Sequence, residues 1–486
     1  MTADAAPITL KPAAGHRSRE VWALALPIIG AMSSQNVLNL VDTAMVSRIG
    51  PSSLAAVGLG SFINFMSFSA ITGLSAAVQA MAARRYGEGR LHETAIPLNG
   101  GILLSLLIGL PLSVVLILAA PWIFARLNHD PDVVRQGTVY LQCRLLGIAA
   151  IGINFSFRGY WSAVKKTVLY LCTLFGICCL NILLDYLLIF GKLGFPALGV
   201  RGAGLASVIS ASCGTLAYCA FGWRYARGAG FFAGLPDRRQ LLDLLRLALP
   251  TCLQQLLYST GFVVLFWIVG QVGTAELAVS NVLVNITLTA ILPAMGFGLA
   301  SATFCGQALG RRDVDDASCW PWDVFKASWW VFAVMALPML LLAGPVLQVF
   351  FGSGNAAATA RLLEIGETPL RLIGAAVVLD GLGFILMQSL LGVGASRPVM
   401  LISVGLQWGL FLPLAYLAGP VLMMGLLPIW GLMLCYRAAQ TLCFIAVWRS
   451  RIWARIVVGR PRRARPTLRI TSFRRKPEAR ATKCRL

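Results

Sequence analysis

Charged side chains are scarce in this chain. They make up 12% of its 486 residues, whereas hydrophobic residues make up 58% and the mean hydropathy is +0.76. Soluble domains carry about a quarter charged residues, so this composition excludes a water-soluble globule. The 48 glycines and 23 prolines are spread through the apolar stretches, which excludes collagen and low-complexity sequence. The composition predicts a protein that crosses a membrane many times.

Histidine and metal-binding cysteine patterns are also lacking. The three histidines, His16, His92 and His129, lie outside the apolar stretches, and the twelve cysteines form no CxxC pair. The sequence contains no HExxH, GxSxG or P-loop motif. A membrane-embedded enzyme is therefore disfavoured, and we expect no catalytic residue, no metal and no cofactor beyond a coupling ion.

Long apolar runs dominate what is present. About 20 apolar residues cross the hydrocarbon core as a helix, and cutting the chain at charge clusters and Pro/Gly turns predicts twelve spans. Because the apolar runs begin near residue 21 without a cleavage site after a short core, the first is expected to be retained. The predicted spans are 21–47, 54–82, 97–123, 135–162, 168–190, 199–223, 246–270, 276–306, 326–350, 369–394, 399–420 and 424–448.

An internal repeat divides these spans into two halves. A shift of 223 positions places Leu24-Ala25-Leu26-Pro27 on Leu247-Ala248-Leu249-Pro250 and Gly50 on Gly273. Two parallel six-helix lobes related by a pseudo-two-fold axis along the membrane normal are a transporter architecture. The predicted fold class is therefore an all-α polytopic membrane protein of this kind. The predicted segments are an N-terminal segment (1–20), an N-lobe (21–223), a linker (224–245), a C-lobe (246–448) and a basic tail (449–486).

The net charge is +22, and the distribution of its Lys and Arg residues predicts how the chain is oriented in the membrane. Without the tail, 17 Lys and Arg residues fall on the side of the N-terminus and the even-to-odd connectors, against 7 on the other side. The positive-inside rule then places both termini in the cytoplasm of an inner-membrane protein. The tail holds 14 Lys and Arg and one acid, Glu478. We expect it to be disordered and to lie on anionic lipid; nucleic-acid binding is an alternative that no motif supports.

Three acids lie well inside predicted spans: Asp42, Asp185 and Asp380. The bases within spans are Arg144, Arg158 and Arg437. A charge at the bilayer centre costs about 2.5–3.5 kcal/mol on insertion scales, so such residues are functional candidates.

Two of these acids belong to polar stripes. Gln35, Asn39 and Asp42 share one face of span one, and Asn181 and Asp185 share one face of span five. If the stripes face each other, burial and mutual repulsion favour protonation of one carboxyl, which suits a proton-coupled carrier. The alternative is a hydrogen-bonded polar cluster that fixes helix packing, and the same choice applies to Asp380.

The second half has a polar stripe without a carboxylate. Its members either line a cavity or bind helices together: Gln254 and Tyr258 on span seven, and Asn281, Asn285 and Thr289 on span eight. Pro27 lies more than a turn inside span one, where it predicts a kink that is either a hinge or a static bend.

Several stretches resemble the multidrug and toxic compound extrusion (MATE) family of secondary transporters. They are LALPIIG (24–30), NLVDTAMVSRIG (39–50), FRGYW (157–161), NILLDYLLIFGKLGFPALGVRGAGLAS (181–207) and GQALGRRD (306–313). The resemblance covers residues 20 to 448 and implies twelve helices in two lobes around a central cleft. It also implies export of organic, often cationic, compounds driven by a proton or sodium gradient.

The span-one Asp and the span-five Asn-x-x-x-Asp resemble the proton-linked DinF-type branch. The resemblance implies a coupling site of Asp42, Asn181 and Asp185, with Tyr140 and Ser207 nearby. Gln35, Asn39, Asn154, Tyr258, Asn281, Asn285 and Asp380 are the remaining candidates for the substrate cleft or its support.

Departures from the family pattern bear on the coupling ion. Sodium-linked relatives place a Glu on span seven, but residues 247–270 contain none. Asp380 resembles the family's span-ten acid, Ser207 replaces the more usual Thr, and Arg84 stands where the repeat has Gln307. We therefore expect a monomeric antiporter that exports organic cations in exchange for protons. The alternatives are sodium coupling, and a flippase for lipid-linked precursors, which tends to need a more cationic cavity.

Overall fold

The computed structural model describes residues 14–234, 236–351 and 356–456, and these residues are almost entirely helical. The N-lobe contains α1 (Ala14–Ser47), α2 (Pro51–Gly87), α3 (Ile96–Leu127), α4 (Pro131–Leu145), α5 (Ile148–Ala163), α6 (Thr167–Phe190) and α7 (Val200–Tyr225). The C-lobe contains α8 (Arg238–Val272), α9 (Thr274–Gly310), α10 (Val314–Leu341), α11 (Ala343–Phe351), α12 (Ala356–Gly392), α13 (Ser396–Leu406), α14 (Leu412–Tyr416) and α15 (Leu426–Arg449).

Eleven helical segments of the described residues are long and apolar enough to cross a membrane, and α4 with α5 form a twelfth candidate span bent by 48°. One of the eleven, Ser396–Val421, consists of α13, a π-helical turn (Gln407–Phe411), α14 and a second π-helical turn (Leu417–Val421). The predicted all-α polytopic fold is confirmed.

Several predicted boundaries differ from the structure. Helix α1 begins at Ala14 and not at 21, and α12 begins at Ala356 and not at 369. Span four is broken at Gly147, between α4 and α5. Span nine was expected at 326–350, but α10 begins at Val314 and ends at Leu341, and α8 begins at Arg238, inside the predicted linker. Asp313 and Asp237 accept hydrogen bonds from the backbone N–H groups of Asp316 and Arg238, 2.8 Å away, and so cap these two helices. The first turns of α8 and α10 are polar, so a criterion based on hydropathy assigns these turns to the connectors between spans.

The repeat is clearest in α2 and α9. Both helices have 37 residues, and both ends are related by the same shift of 223: Pro51 pairs with Thr274, and Gly87 with Gly310. The pairing confirms that the two lobes are built to one plan.

Glycines let the two lobes approach closely. A Cβ atom on Gly87 would lie 2.0 Å from the carbonyl oxygen of Gln307, and one on Gly310 would lie 2.2 Å from that of Arg84. The contact brings the C-terminal ends of α2 and α9 together, and we call this end of the molecule the Gly87 end. It is the end predicted to face the cytoplasm.

Buried polar side chains join the lobes near the same end. The Gln79 amide donates to the Leu299 carbonyl (2.8 Å) and to the Thr303 hydroxyl (2.9 Å). The Gln307 amide donates to the Ala163 carbonyl at 2.8 Å. Because buried polar groups need partners, these bonds hold the lobes in a defined register.

An ionic contact also crosses between the lobes at the Gly87 end. Arg17, at the start of α1, donates through Nη2 to Asp316 and through Nη1 to Asp323, both at 2.6 Å, and both carboxylates belong to α10. The guanidinium carbon lies 4.8 Å from the centroid of the Trp320 ring. Charge-assisted bonds to two carboxylates are strong, so this contact favours the closed Gly87 end.

Pro27 lies within α1, which continues through it as one helix. Its role as a hinge stays a prediction. Most of the predicted basic tail, residues 457–486, lies outside the described residues, as do residues 1–13.

We expect Arg17→Gln to loosen the Gly87 end, because the neutral amide cannot replace two charge-assisted bonds. The fraction of molecules open at this end should rise about 5- to 150-fold, corresponding to a coupling of about 1–3 kcal/mol. Pulsed electron spin resonance distances between labels on His92 and Arg312, on connectors of opposite lobes, report the opening.

Arg135→Gln is the matched control. Arg135 pairs with Asp132 within one lobe, and its side chain is 76% exposed, so its removal should leave the distance distribution unchanged. An Arg17→Gln distribution identical to that of the wild type would refute a role of the ionic contact in lobe closure.

Candidate functional site

Two carboxyl groups meet in the N-lobe. Asp42 on α1 and Asp185 on α6 lie close enough for their carboxyl groups to interact with each other. The Asn181 amide donates to Asp185 Oδ2 at 3.1 Å, and both residues are buried. The structure thus brings together the three residues that the sequence assigned to the coupling site.

The remaining oxygens of this pair lack donors. Oδ1 of Asp42 and Oδ1 of Asp185 are buried and have no hydrogen-bond partner among the described residues. Two ionised carboxylates in contact repel each other, and a buried acceptor without a donor is costly. A proton shared between the two groups would supply the missing donor and remove the repulsion.

Arg144 on α4 is the nearby positive charge. It acts electrostatically on both Asp42 and Asp185. The sequence identified Arg144 as a base within a span but did not place it at the site. The signal that could have found it is its i, i+4 spacing from Tyr140, since residues four apart share one face of a helix.

Tyr140 on α4 is fixed in place by its neighbours. Its hydroxyl lies 2.9 Å from Ser61 Oγ, and its side chain is buried. A Cβ atom on Gly60 would lie 2.6 Å from the Tyr140 ring, so only a glycine fits there. Arg144 stands with its guanidinium carbon 5.8 Å from the ring centroid of Tyr140, which makes Tyr140 a support for the arginine.

The other N-lobe candidates have different surroundings. Asn154 accepts from Thr215 (2.8 Å) and donates to the Ala211 carbonyl (3.1 Å), so it joins α5 to α7. The Ser207 hydroxyl donates to the Ala203 carbonyl one turn back in its own helix. Gln35 is half-buried and Asn39 is exposed on α1. Of the span-one stripe, Asp42 is the member in contact with the second stripe.

The polar stripe of α9 faces out of the C-lobe. Asn281, Asn285 and Thr289 are exposed. The Asn285 amide donates to the Asn281 carbonyl at 2.8 Å, and the Thr289 hydroxyl donates to the Asn285 carbonyl at 2.9 Å. These local bonds leave the stripe available to line a cleft and do not join it to another helix.

Asp380 is not a free acid. Arg437 Nε on α15 donates to Asp380 Oδ1 on α12 at 3.0 Å, and Arg437 Nη1 donates to the Tyr258 hydroxyl at 3.4 Å. Each charged side chain is 10% exposed. The sequence placed Asp380 and Arg437 in different spans and had no signal for their pairing. The described residues contain no cluster of three or more His, Cys, Asp or Glu that could hold a metal ion.

The sequence profile of the MatE family matches the chain twice, over residues 27–187 and 250–417. The two matches begin at Pro27 and Pro250, which the repeat relates to each other. The chain belongs to the MatE family.

The similarity to individual proteins extends over nearly the whole chain. A probable multidrug resistance protein NorM of Neisseria meningitidis serogroup A is 27% identical over 451 residues, which are 90% of this chain and 95% of that protein. The fold resembles that of a MOP superfamily transporter from Pyrococcus furiosus, with a TM-score of 0.82, 23% identity and coverage of 90% and 96%. An outward-facing multidrug resistance MATE family transporter gives the same four values.

Membership in the MatE family confirms the predicted family and makes the chain a transporter, not an enzyme. The predicted DinF-type branch stays a prediction. Among the described residues, the carboxyl pair of the N-lobe and the ion pair of the C-lobe hold the acids predicted to lie well inside spans, and of the two groups only the latter has a salt bridge to a base, at 3.0 Å.

Asp380→Asn should destabilise this MatE protein, because it leaves Arg437 buried without its counter-ion. We expect a loss of about 3–5 kcal/mol, the range for breaking a buried ion pair, seen as a lower unfolding temperature in detergent. Asp380→Asn/Arg437→Gln, which leaves no buried charge, should recover most of it.

Glu367→Gln serves as the control for this comparison. Its partner Arg371 is 54% exposed, so the change should cost less than about 1 kcal/mol. Equal unfolding temperatures for Asp380→Asn and Glu367→Gln would contradict the assignment of a structural ion pair.

Proposed function

We propose that this MatE transporter exports organic compounds in exchange for protons, and that the Asp42–Asp185 pair carries the proton. The observation behind the proposal is that the buried Asp185 and the half-buried Asp42 act on each other, and that each has a buried oxygen that lacks a donor among the described residues. Such a pair is more stable with one proton than with none. Its protonation state can therefore follow the side of the membrane to which it is open.

The surroundings favour a proton over a sodium ion. Hard metal cations are held by several oxygen atoms, whereas a proton needs only the two carboxyls. Arg144 adds a positive charge beside the pair, which reduces but does not cancel the charge of two ionised carboxylates. In the C-lobe, Asp380 already has Arg437 as its cation at 3.0 Å. Both groups of buried acids are thus poor sodium sites.

The exchange of cargo for protons follows because both compete for the Asp42–Asp185 pair. When the pair is ionised, its negative charge favours a cargo with a positive charge; when it is protonated, that attraction is lost. The Gly87 end is closed by the α2–α9 contact and by Arg17. With the predicted orientation, this arrangement is the outward-facing state, in which protons enter from outside and cargo leaves. Rocking of the lobes exposes the same pair to the other side.

Cargo and location are proposed with this mechanism. The relatives named multidrug resistance proteins support a broad class of organic cargo. That the cargo includes cations is proposed from the negative charge of the ionised pair. We propose an inner-membrane monomer with both termini in the cytoplasm, as the distribution of Lys and Arg predicts. A flippase for lipid-linked precursors is disfavoured, since Arg437 is neutralised by Asp380 and so adds no net charge for a pyrophosphate group.

Asp42→Asn and Asp185→Asn should each reduce export at least about tenfold, because an amide cannot take up and release the proton. The measurement is uptake of a fluorescent organic cation by proteoliposomes under an imposed pH gradient, with equal amounts of inserted protein. Asp132→Asn, an exposed residue of α4, is the control and should behave as the wild type. Full activity of both variants would refute the proton site.

The same vesicles separate the two coupling ions. We expect transport with a pH gradient alone and none with a sodium gradient alone at equal pH. Transport that needs sodium would replace proton coupling with the sodium alternative and leave the export function standing.

We propose that the basic tail contacts anionic lipid and takes no part in export. Deletion of residues 461–486 should leave export within about twofold of the wild type while weakening binding of the tail to vesicles that contain anionic lipid. A truncated protein that inserts normally but fails to transport would show that the tail belongs to the transport machinery.

A further inference from the structure

Three basic side chains at neighbouring ends of α6 and α7 have no acidic partner. Lys166 directly precedes α6, Arg224 lies in the last turn of α7, and Arg227 begins a short 3-10 helix (Arg227–Ala229). All three are exposed, and among the described residues none of their side chains forms a hydrogen bond or an ion pair. Lys165, by contrast, is paired with Glu20 at 3.1 Å. We call the three unpaired residues the basic cluster.

Two aromatic rings hold the basic cluster together. The Lys166 Nζ atom lies 5.4 Å from the centroid of the Tyr225 ring, and the guanidinium carbon of Arg224 lies 5.5 Å from the same centroid. Cations from two different helices therefore share one ring. The guanidinium carbon of Arg227 lies 4.6 Å from the centroid of the Trp223 ring. Such cation–π contacts position a cation without neutralising its charge.

The basic cluster lies where two spans end. Thr167–Phe190 and Val200–Tyr225 are candidate spans, so the cluster is at the level of the lipid head groups. Trp223 is 55% exposed and Tyr225 is 48% exposed, and Trp and Tyr are enriched at this level of a bilayer. The orientation predicted from Lys and Arg places the cluster in the cytoplasmic leaflet, whose anionic lipids attract basic residues.

The loop that follows α7 is fixed to the body of the N-lobe. Phe231 is buried, and its ring centroid lies 5.8 Å from that of Phe157 on α5. The Asn99 amide of α3 donates to the Gly230 carbonyl at 2.9 Å. The exposed Phe232 follows in the same loop. Basic residues combined with exposed aromatic rings are typical of surfaces that lie in the membrane interface.

We propose that the basic cluster is a binding site for the head group of an anionic phospholipid. Its phosphate contacts Lys166 and Arg224, since ionised donors make strong hydrogen bonds to phosphate oxygens. Arg227 adds a third positive charge, which disfavours a zwitterionic lipid because the choline or ethanolamine cation is repelled. Exposed apolar side chains of α6, Val168 and Phe175 among them, offer a surface for the acyl chains. The site is separate from the tail and does not depend on the cargo or the coupling ion.

Photolabelling of the full-length protein in vesicles tests the proposal. The probes are phosphatidylglycerol and phosphatidylcholine with the same photoreactive group in an acyl chain, each added in trace amount to vesicles that contain both unlabelled lipids. Mass spectrometry of peptides measures the label at the ends of α6 and α7. In the wild type, phosphatidylglycerol should label these ends at least about fivefold more than phosphatidylcholine, the factor that one basic residue near the surface contributes. Label on the tail falls in other peptides.

Lys166→Gln/Arg224→Gln/Arg227→Gln should bring the ratio of the two labels to within about twofold of one, because the charges that select the anionic lipid are gone. Because the ratio compares two probes on one protein, differences in the amount of inserted protein cancel. Equal labelling of the wild type by the two lipids would overturn the proposal.

Arg238→Gln/Arg239→Gln/Arg312→Gln is the matched control. It removes the same number of exposed charges from the same predicted side of the membrane, and its ratio should equal that of the wild type. Equal losses in the control and in the variant of the basic cluster would show a general surface potential and no site, and so would refute the proposal.

Tyr225→Leu keeps every charge and removes the ring that Lys166 and Arg224 share. The ratio should fall about two- to fivefold, the factor expected for the loss of a cation–π contact at an exposed position. A ratio unchanged by this substitution would refute the arrangement around Tyr225 on which the site depends.

Discussion

An ionised side chain within a bilayer needs a partner of opposite charge or a proton, and this constraint shapes both lobes of the protein. In the C-lobe the constraint is met by Arg437, which holds Asp380 at 3.0 Å. In the N-lobe Asp42 and Asp185 interact with each other, and among the described residues Arg144 is the base that acts on both. One group is neutral as it stands, whereas the other becomes neutral only when a proton arrives.

The two lobes have the same arrangement of helices but differ in their acidic side chains. Helices α2 and α9 have the same length, and the shift of 223 relates both of their ends. Their C-terminal glycines, Gly87 and Gly310, make the contact at the Gly87 end. A repeat that packs against its own copy can rock about a common seam, because close backbone contact needs little side-chain rearrangement. The buried acids differ between the copies, so the same motion can change the protonation of one lobe without changing the charge of the other.

Much of the fold could be predicted from the sequence. The lengths of the apolar runs give the membrane spans, and the shift of 223 residues gives the internal repeat, and neither signal needs knowledge of tertiary contacts. The helix ends at Arg238 and Val314 were missed because polar first turns look like connectors. Asn181 and Asp185 could be grouped because four residues make one helical turn. The pairing of Asp380 with Arg437 could not, because residues 57 apart meet only through packing.

The pairing also changes how the sequence signal for sodium should be interpreted. The absence of a Glu on span seven suggested a weakened cation site in the C-lobe, and the structure supplies a second reason, since an arginine fills the position of the cation. A guanidinium fixed by Asp380, Tyr258 and Phe384 cannot leave during transport as an ion does. The C-lobe acid therefore keeps its counter-ion, and the proton site that we propose lies in the N-lobe.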